Sequence, residues 1–236
     1  MNKTKKIDVI IPTYHPDEKL ERCLRMLKRQ TIQPQRILLI NTEEEFFHSK
    51  VFPTLKQGEI VHITKPEFDH GGTRNQAARM CDGEIMILLT QDAIPADEYL
   101  IENLLKPFED EEVCAAYGRQ MADKKDNPIE AYTRIFNYPK ESRIKSKKDL
   151  PELGIKTFFC SNVCAAYRKS EYDALGGFPL HTIFNEDMIF ASHLIEEGKK
   201  IAYVADAKVW HWHNYTAKEQ LKRNFDLAVS QVDAGG

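Results

Sequence analysis

The sequence lacks the long apolar run that a membrane-spanning helix requires. No segment of the 236-residue chain approaches the roughly 20 consecutive apolar residues that cross a bilayer. Its first residues, Met1–Lys6, lead directly into an apolar strand pattern rather than into a signal peptide. We therefore expect a cytoplasmic protein without membrane spans.

Cysteines are few, and their number is odd. No two of them form a Cys-x-x-Cys pair, and this absence argues against a structural zinc site. Most of them sit inside apolar segments, a pattern that favours a reducing, cytoplasmic compartment over a disulfide framework. The five cysteines are Cys23, Cys81, Cys114, Cys160 and Cys164.

An excess of basic residues is also missing, since the formal net charge is -3 and the isoelectric point is near 6.3. A protein that coats duplex nucleic acid needs such an excess, so we expect no nucleic-acid partner. Local basic groups in Pro139–Gly154 and at Lys218, Lys222 and Arg223 could meet the inner face of the plasma membrane. The alternative is that they are solvated.

Apolar strand patterns alternate with helical ones along the first half of the chain. Strands are predicted at Ile7–Pro12, Arg36–Ile40, Glu59–Ile63 and Glu84–Leu89. Helices are predicted over Asp17–Gln30 and from Gly71-Gly72 through Cys81, with a weaker helical stretch near Glu43–Leu55. This alternation predicts an α/β fold with a mixed, mostly parallel central sheet flanked by helices.

The second half is less regular. Strands are predicted at Val113–Arg119 and Val163–Arg168, and a helix is predicted to begin near Glu186. Between Pro139 and Gly154 the composition shifts towards Lys, Ser and Pro, which predicts a mobile loop.

Polar groups follow the predicted strands, and the carboxyl ends of parallel strands converge on one crevice. Gly71 and Gly72 could let a helix N-terminus approach a phosphate, with Arg74 adding a charged contact, although an ordinary turn explains them equally well. Asp92 could bind a divalent ion that bridges a diphosphate, or it could cap a turn.

Glu186 and Asp187 begin a predicted helix, where acidic residues are common because of the helix dipole. His211 and His213 alternate along a strand pattern and should therefore share one face. Paired histidines can bind a metal ion, and we expect one of these two to do so.

Seven motifs occur in order along the chain: IIPTYHP, FDHGGTRNQAA, LLTQDAIP, CSNVCAAYR, LGGF, FNEDMIF and AKVWHWHNYT. This ordered series resembles glycosyltransferase family 2, whose members have the GT-A nucleotide-sugar fold, and is most similar to bacterial rhamnosyltransferases of polysaccharide synthesis. The resemblance covers about Ile7 to Asp226.

The resemblance implies an inverting glycosyltransferase that moves a sugar, such as L-rhamnose from dTDP-rhamnose, from a dTDP- or UDP-sugar to a glycan or lipid-linked acceptor. It also implies a divalent metal ion, Mn²⁺ or Mg²⁺. Asp92 matches the last Asp of the family's D-x-D metal motif, with Thr90 at the first position. Asp187 matches the general base, with Glu186 beside it, and His211 lies where the family often adds a metal ligand. His213 is the weaker candidate.

The same resemblance implies one GT-A domain over residues 1–236. Residues 1–120 would bind the nucleotide sugar, 121–216 would carry the acceptor and catalytic groups, and 217–236 would form a C-terminal helix that longer family members continue. Asn41 replaces a usual Asp, although its amide can still accept a hydrogen bond from a pyrimidine. Acceptor contacts are predicted for Ser161, Asn162 and Glu186. Donor contacts are predicted for Pro12, Thr13, Tyr14, Asn41, Asp69, Gly72, Arg74, Asn75, Gln91 and Asp92.

Two other functions deserve comparison. The GGTRN segment echoes the glycine-rich signature of sugar-nucleotide pyrophosphorylases, but that signature should follow the first strand, where Thr13-Tyr14 stands instead. A non-catalytic nucleotide-sugar-binding module could keep the crevice, but the presence of both Asp92 and Asp187 argues against it.

Overall fold

The computed structural model describes residues 5–121, 128–182 and 185–212. Strands and helices alternate through this part of the chain, with short 3₁₀ turns between them. The strands are β1 Ile7–Tyr14, β2 Arg36–Thr42, β3 Gly58–Ile63, β4 Ile85–Leu89, β5 Ile94–Pro95, β6 Val113–Met121, β7 Arg143–Lys145, β8 Cys164–Arg168 and β9 Lys200–Trp210. The helices are α1 Glu18–Leu27, α2 His70–Met80, α3 Leu100–Leu105, α4 Pro128–Asn137, α5 Leu150–Leu153, α6 Lys169–Ala174 and α7 Glu186–Glu196.

These strands form one sheet in the order β3-β2-β1-β4-β8-β6-β9-β5, and β7 pairs with β9. β1 is parallel to β2 and β4, and β6 is parallel to β9. β8 is antiparallel to both of its neighbours, β4 and β6. The predicted mixed, mostly parallel sheet is confirmed. The carboxyl ends of the parallel strands therefore meet the amino end of β8 at one edge.

β1 lies inside the sheet and is covered on both faces. Val9 and Ile11 pack in the apolar layer that contains Leu24 of α1, whereas Ile10 packs in the opposite layer with Ala77 of α2 and Phe190 of α7. Burial on both faces explains why this strand reads as a nearly continuous apolar run.

α1 follows the predicted apolar stripe. Leu20, Cys23, Leu24 and Leu27 are buried, and the predicted cap, Asp17, accepts a hydrogen bond from the backbone N–H of Lys19 at 2.8 Å. The acceptor satisfies one of the free N–H groups that every helix start exposes. α1 is thereby fixed against the sheet face beside β1.

The weaker helical prediction near Glu43–Leu55 is wrong. This segment forms only two 3₁₀ turns, Glu44–Phe46 and Phe52–Thr54, the second of which contains Pro53. The Glu21 carboxylate accepts from the backbone N–H groups of Lys50 and Val51, which ties the segment to α1. Side-chain capping and proline replace the regular helical pattern here.

The predicted mobile loop between Pro139 and Gly154 is also wrong. The segment forms β7, a 3₁₀ turn and α5, because Lys145 anchors it. This side chain is buried, and its ammonium donates hydrogen bonds to the carbonyl oxygens of Phe159 at 2.5 Å and Lys156 at 3.2 Å. Composition alone did not reveal that a lysine could serve as a core residue.

Several basic side chains of this segment, among them Lys140, Lys147 and Lys148, remain exposed. Arg143 instead pairs with Asp149 and Glu152. The predicted C-terminal helix and its basic residues, Lys218, Lys222 and Arg223, lie outside the described residues. Within the described ranges, no helix is long and apolar enough to cross a membrane.

Burial lowers the pKa of Lys145 to about 8. Between that value and the ordinary lysine value, the unfolded chain binds a proton that the folded chain does not, so this group makes folding more favourable as pH rises. We predict that wild-type stability relative to Lys145→Met increases from pH 8 to pH 10.5. Urea unfolding of both proteins across this range measures the difference, and a flat difference would contradict the prediction.

Candidate active site

Asp92 and His211 meet at the carboxyl edge of the sheet. Asp92 follows β4 and His211 follows β9, and Asp92 Oδ2 lies 3.5 Å from His211 Nε2. His211 is buried, whereas Asp92 keeps 17 % of its side chain exposed. A carboxylate and an imidazole that face the same point are suited to hold a divalent ion together.

Gln120, at the end of β6, contacts the other nitrogen of this imidazole. Gln120 Oε1 lies 2.9 Å from His211 Nδ1, and Arg134 Nη2 of α4 lies 3.1 Å from the same atom. An amide oxygen accepts a hydrogen bond whereas a guanidinium donates one, so these neighbours favour opposite tautomers of His211. A metal ion needs the tautomer favoured by Gln120, which leaves the Nε2 lone pair facing Asp92.

The donor set fits a divalent ion that also contacts a ligand. Among the described residues, no group of three or more His, Cys, Asp and Glu side chains could hold a metal ion, so a bound ion would take at most two contacts from Asp92 and His211. Phosphate oxygens and water can complete the shell, as hard divalent ions prefer. The other candidate, His213, lies outside the described residues.

Asp187 lies in the first turn of α7, in contact with the segment Ser161-Asn162. Its Oδ2 accepts from the backbone N–H of Asn162 at 2.8 Å, and its Oδ1 accepts from the backbone N–H of Met188 at 2.8 Å. Asp187 itself remains partly exposed. Two fixed N–H donors therefore orient a carboxylate that a ligand can still reach.

Glu186, next to Asp187, points into the protein. Its Oε1 accepts from Asn162 Nδ2 at 3.1 Å and lies 3.5 Å from Arg74 Nη1, with both charged side chains almost fully buried. Asn162 is held in turn by Tyr167, whose hydroxyl donates to Asn162 Oδ1 at 2.8 Å. Glu186 thus acts on the site through Asn162 and Arg74.

The pKa of Asp187 is raised to about 7. Burial is the main cause, and the neighbouring Glu186 charge adds to it, while the N–H groups of Asn162 and Met188 and the charge of Arg74 oppose the rise. The carboxyl group therefore changes charge near neutral pH, where a proton acceptor works well.

Gln120 and the pair Ser161-Asn162 connect the two ends of the site. Gln120 Nε2 donates to Ser161 Oγ at 3.0 Å, and the next residue, Asn162, holds Asp187. A continuous path of contacts therefore runs from Asp92 through His211, Gln120 and Ser161-Asn162 to Asp187.

The predicted donor-side residues Tyr14 and Gln91 join the ends of β1 and β4. Gln91 Oε1 accepts from the backbone N–H of Tyr14 at 2.9 Å, and Gln91 Nε2 donates to the Tyr14 carbonyl at 3.0 Å. The Tyr14 ring is exposed and packs edge-on against His15, which stacks on Phe46. These rings form an aromatic surface at the carboxyl end of β1, and Pro12 of the same strand is half-buried.

Asn41 is not available for the predicted contact with a nucleobase. It is fully buried, and its Oδ1 accepts from the Thr13 hydroxyl at 3.0 Å. Its Nδ2 donates to the Glu43 carbonyl at 3.1 Å and also contacts His62. Both Asn41 and Thr13 therefore fix the ends of β1 and β2 rather than face the crevice.

The two glycines serve a different purpose from the predicted phosphate contact. α2 already begins at His70, and Asp69 caps it by accepting from the Gly72 N–H at 2.6 Å. A Cβ on Gly71 would lie 1.9 Å from the Pro179 carbonyl oxygen. Gly71 is therefore required by the close approach of the chain at Pro179, which precedes α7.

Arg74 and Asn75 point into the protein rather than towards a donor ribose. Arg74 is 7 % exposed and pairs with Glu186. Asn75 is equally buried, and its amide exchanges hydrogen bonds with the Phe178 backbone, at 2.8 Å to the carbonyl and 2.9 Å from the N–H. Asn75 holds the segment before α7 and Arg74 holds the first turn of α7, so their effect on the site is indirect.

Two residues of the site, Gln120 and Arg134, were missed by the sequence reasoning. Gln120 lies one residue before the end of β6, just after the apolar pattern of this strand stops, and this position is the sequence signal that marks it. Arg134 belongs to α4, a helix that the sequence reasoning did not predict.

The family model for glycosyl transferase family 2 matches residues 8–176. This span includes Asp92 and ends before Asp187 and His211. The chain is 44% identical over 225 residues to the O-antigen chain rhamnosyltransferase RfbN of Salmonella typhimurium, covering 95% of this chain and 72% of the relative. It is 42% identical over 223 residues to the O-antigen chain rhamnosyltransferase WbaN of Salmonella anatum, covering 94% and 70%.

Two solved structures resemble this fold. The mannosyltransferase PcManGT from Pyrobaculum calidifontis, in complex with GDP-Man and Mn²⁺, matches with a TM-score of 0.69 at 16% identity, covering 99% of this chain. S. aureus TarS 1-349 in complex with UDP-GlcNAc matches with a TM-score of 0.64 at 13% identity, covering 92%. The chain spans 64% and 60% of these two structures. They confirm the predicted GT-A fold.

We predict that Gly71→Ala destabilises the protein, because its methyl group would overlap the Pro179 carbonyl. Overpacking of this kind costs about 1–3 kcal/mol. Gln76→Ala, at an exposed position of the same helix, is the matched control and should be nearly neutral. Thermal unfolding compares them, and equal stabilities for the two variants would contradict the predicted close contact.

Proposed function

The chain belongs to glycosyl transferase family 2, and we propose that it transfers a sugar from a nucleotide-sugar donor to a glycan or lipid-linked acceptor with inversion. The names of its rhamnosyltransferase relatives support rhamnose as the donor sugar in the synthesis of a cell-surface polysaccharide, and we propose L-rhamnose carried by dTDP. The observation that carries the proposal is the path of contacts from Asp92 to Asp187.

Asp92 and His211 would hold a divalent ion, Mn²⁺ or Mg²⁺. Their oxygen and nitrogen atoms face one another, and one structural neighbour was solved with Mn²⁺ and GDP-Man, which supports the assignment. When bound, such an ion neutralises negative charge that grows on the leaving diphosphate.

Asp187 would act as the general base. As the acceptor hydroxyl oxygen bonds to the anomeric carbon, its proton passes to the Asp187 carboxylate, and the nucleoside diphosphate departs from the opposite face with the electron pair of the broken bond. The Asn162 and Met188 N–H groups orient the carboxylate. Its pKa near 7 suits a group that must accept a proton at neutral pH.

The remaining side chains divide between the two substrates. On the donor side, the exposed ring of Tyr14 offers a stacking surface for the base, and Gln91 holds Tyr14 in place. Ser161 and Glu186 flank the acceptor side through Gln120 and Asn162. Five free, buried cysteines support the reducing, cytoplasmic compartment that we propose.

A sugar-nucleotide pyrophosphorylase is the less suitable alternative. Its glycine-rich signature would have to follow the first strand and bind phosphate there. In this chain Gly71 lies in α2 instead, where it packs against the backbone of Pro179. A non-catalytic binding module shares the crevice but requires no oriented carboxylate at Asp187. Activity therefore separates it from the proposed enzyme.

We predict that Asp187→Asn folds and binds dTDP with Mn²⁺ but loses transfer from dTDP-rhamnose by roughly 10²–10⁴-fold, the usual contribution of a general base. Asp206→Asn, which changes an exposed carboxylate on β9, is the matched control and should transfer normally. Calorimetry measures binding, and chromatography of the glycan product measures transfer. Near wild-type transfer by Asp187→Asn would contradict the base assignment. Wild-type binding without any transfer would favour the binding module.

The raised pKa of Asp187 also determines how the rate of sugar transfer should depend on pH. Asp187 must be deprotonated to accept a proton, so wild-type kcat/KM should fall about ten-fold per pH unit below the pKa near 7. This limb should be missing from the residual activity of Asp187→Asn.

A further inference from the structure

A groove of about 600 Å³ lies outside the proposed active site, between α1, the turn near Val51 and the paired strands β5 and β9. Its size falls in the range of small-ligand sites. None of the active-site contacts described above involves a residue that lines this groove.

One wall of the groove is strongly basic. Arg22, Arg25 and Arg29 follow one another along the same side of α1 and the turn after it, over roughly 10 Å of helix axis. Lys28 adds a further charge, and Lys50 contributes one from the facing segment. Arg29 and Lys50 form no ion pair with any residue in the described part of the chain.

Acidic residues do not cancel this charge. No carboxylate lines the groove among the described residues. The nearby Glu21 carboxylate accepts from the backbone N–H groups of Lys50 and Val51, and Arg25 lies 3.7 Å from it. The groove therefore keeps a net positive field.

The floor of the groove is apolar. Ile94 of β5 and Trp210 of β9 are register partners, and Pro95 and Met26 lie beside them. Trp210 is partly exposed, whereas its neighbours Val209 and His211 are buried. Strand alternation thus directs Trp210 away from the Asp92–His211 pair.

We propose that this groove binds the phosphate end of an anionic membrane lipid. The five cations match the phosphate charge, and the Trp210 floor covers the first part of the apolar chain. A free phosphate would satisfy the cations but would leave the floor exposed to water. The proposal does not depend on the transfer chemistry, because none of its residues belongs to the path from Asp92 to Asp187.

The chain offers its own reporter of this site. It contains two tryptophans, Trp210 in the groove and Trp212 next to Lys19 and Arg22. In Trp212→Phe, emission comes from Trp210 alone. Vesicles of phosphatidylcholine with phosphatidic acid should shift this emission to shorter wavelength, whereas pure phosphatidylcholine vesicles and inorganic diphosphate should not.

The charge requirement is tested by Arg29→Glu combined with Lys50→Glu in the full chain. Binding to phosphatidic acid vesicles, measured by sedimentation, should weaken by roughly ten-fold or more. The matched control, Arg79→Glu with Lys6→Glu, makes the same charge change at exposed positions outside the groove and outside the basic segment Pro139–Gly154, and it should bind like the wild type.

Three results would overturn the proposal. The first is an equal loss of binding in the groove variant and in the matched control. The second is an equal response of Trp210 to inorganic diphosphate and to phosphatidic acid vesicles, which would indicate a site for free anions. The third is no binding to phosphatidic acid vesicles by the wild type. The groove variant should bind dTDP like the wild type even if it no longer binds vesicles. A failure of the lipid proposal can therefore be distinguished from a failure of the proposed transferase function.

Discussion

The amide of Gln120 is the contact on which the arrangement of the site depends. Its oxygen lies against His211 Nδ1 and its nitrogen donates to Ser161, so one buried side chain links the end of β9 to the segment before β8. Because buried polar groups are costly without partners, each of these contacts restricts the others. The Asp92–His211 pair and the Asp187 carboxylate are thereby held at the two ends of one path of contacts.

The second constraint is the burial of charge next to Asp187. Glu186 and Arg74 lie almost fully inside the protein, where a carboxylate or guanidinium without a partner would be strongly unfavourable. Their pairing and the Asn162 amide satisfy these groups. The same low-polarity surroundings raise the pKa of Asp187. A structural requirement and a chemical property thus share one cause, the burial of charged groups in the first turn of α7.

The sequence predicted the strands, because a run such as IDVIIP is typical of a strand buried on both faces. It also predicted that Asp92 lies at the carboxyl edge of the sheet, because polar residues at strand ends converge. It could not reveal which polar side chains turn inward. Asn41 and Asn75 are held by hydrogen-bond partners 28 and 103 residues away in the sequence. Gly71 is required because the Pro179 carbonyl lies too close for a side chain. Gln120 and Lys145 act as buried polar anchors, which local composition cannot distinguish from exposed residues. Tertiary contacts decide all five.

The central claim is that the two ends of the path from Asp92 to Asp187 act on opposite sides of the anomeric carbon. The Asp92 end would hold the leaving diphosphate through the metal ion, and Asp187 would take the proton of the acceptor hydroxyl. The most direct measurement is a crystal structure with dTDP and Mn²⁺, with manganese located by its anomalous scattering. The account predicts manganese in contact with Asp92 and with Nε2 of His211, Gln120 still on Nδ1, and the diphosphate completing the metal shell beside Tyr14. Manganese bound away from both residues, or dTDP bound outside the crevice between Asp92 and Asp187, would contradict it.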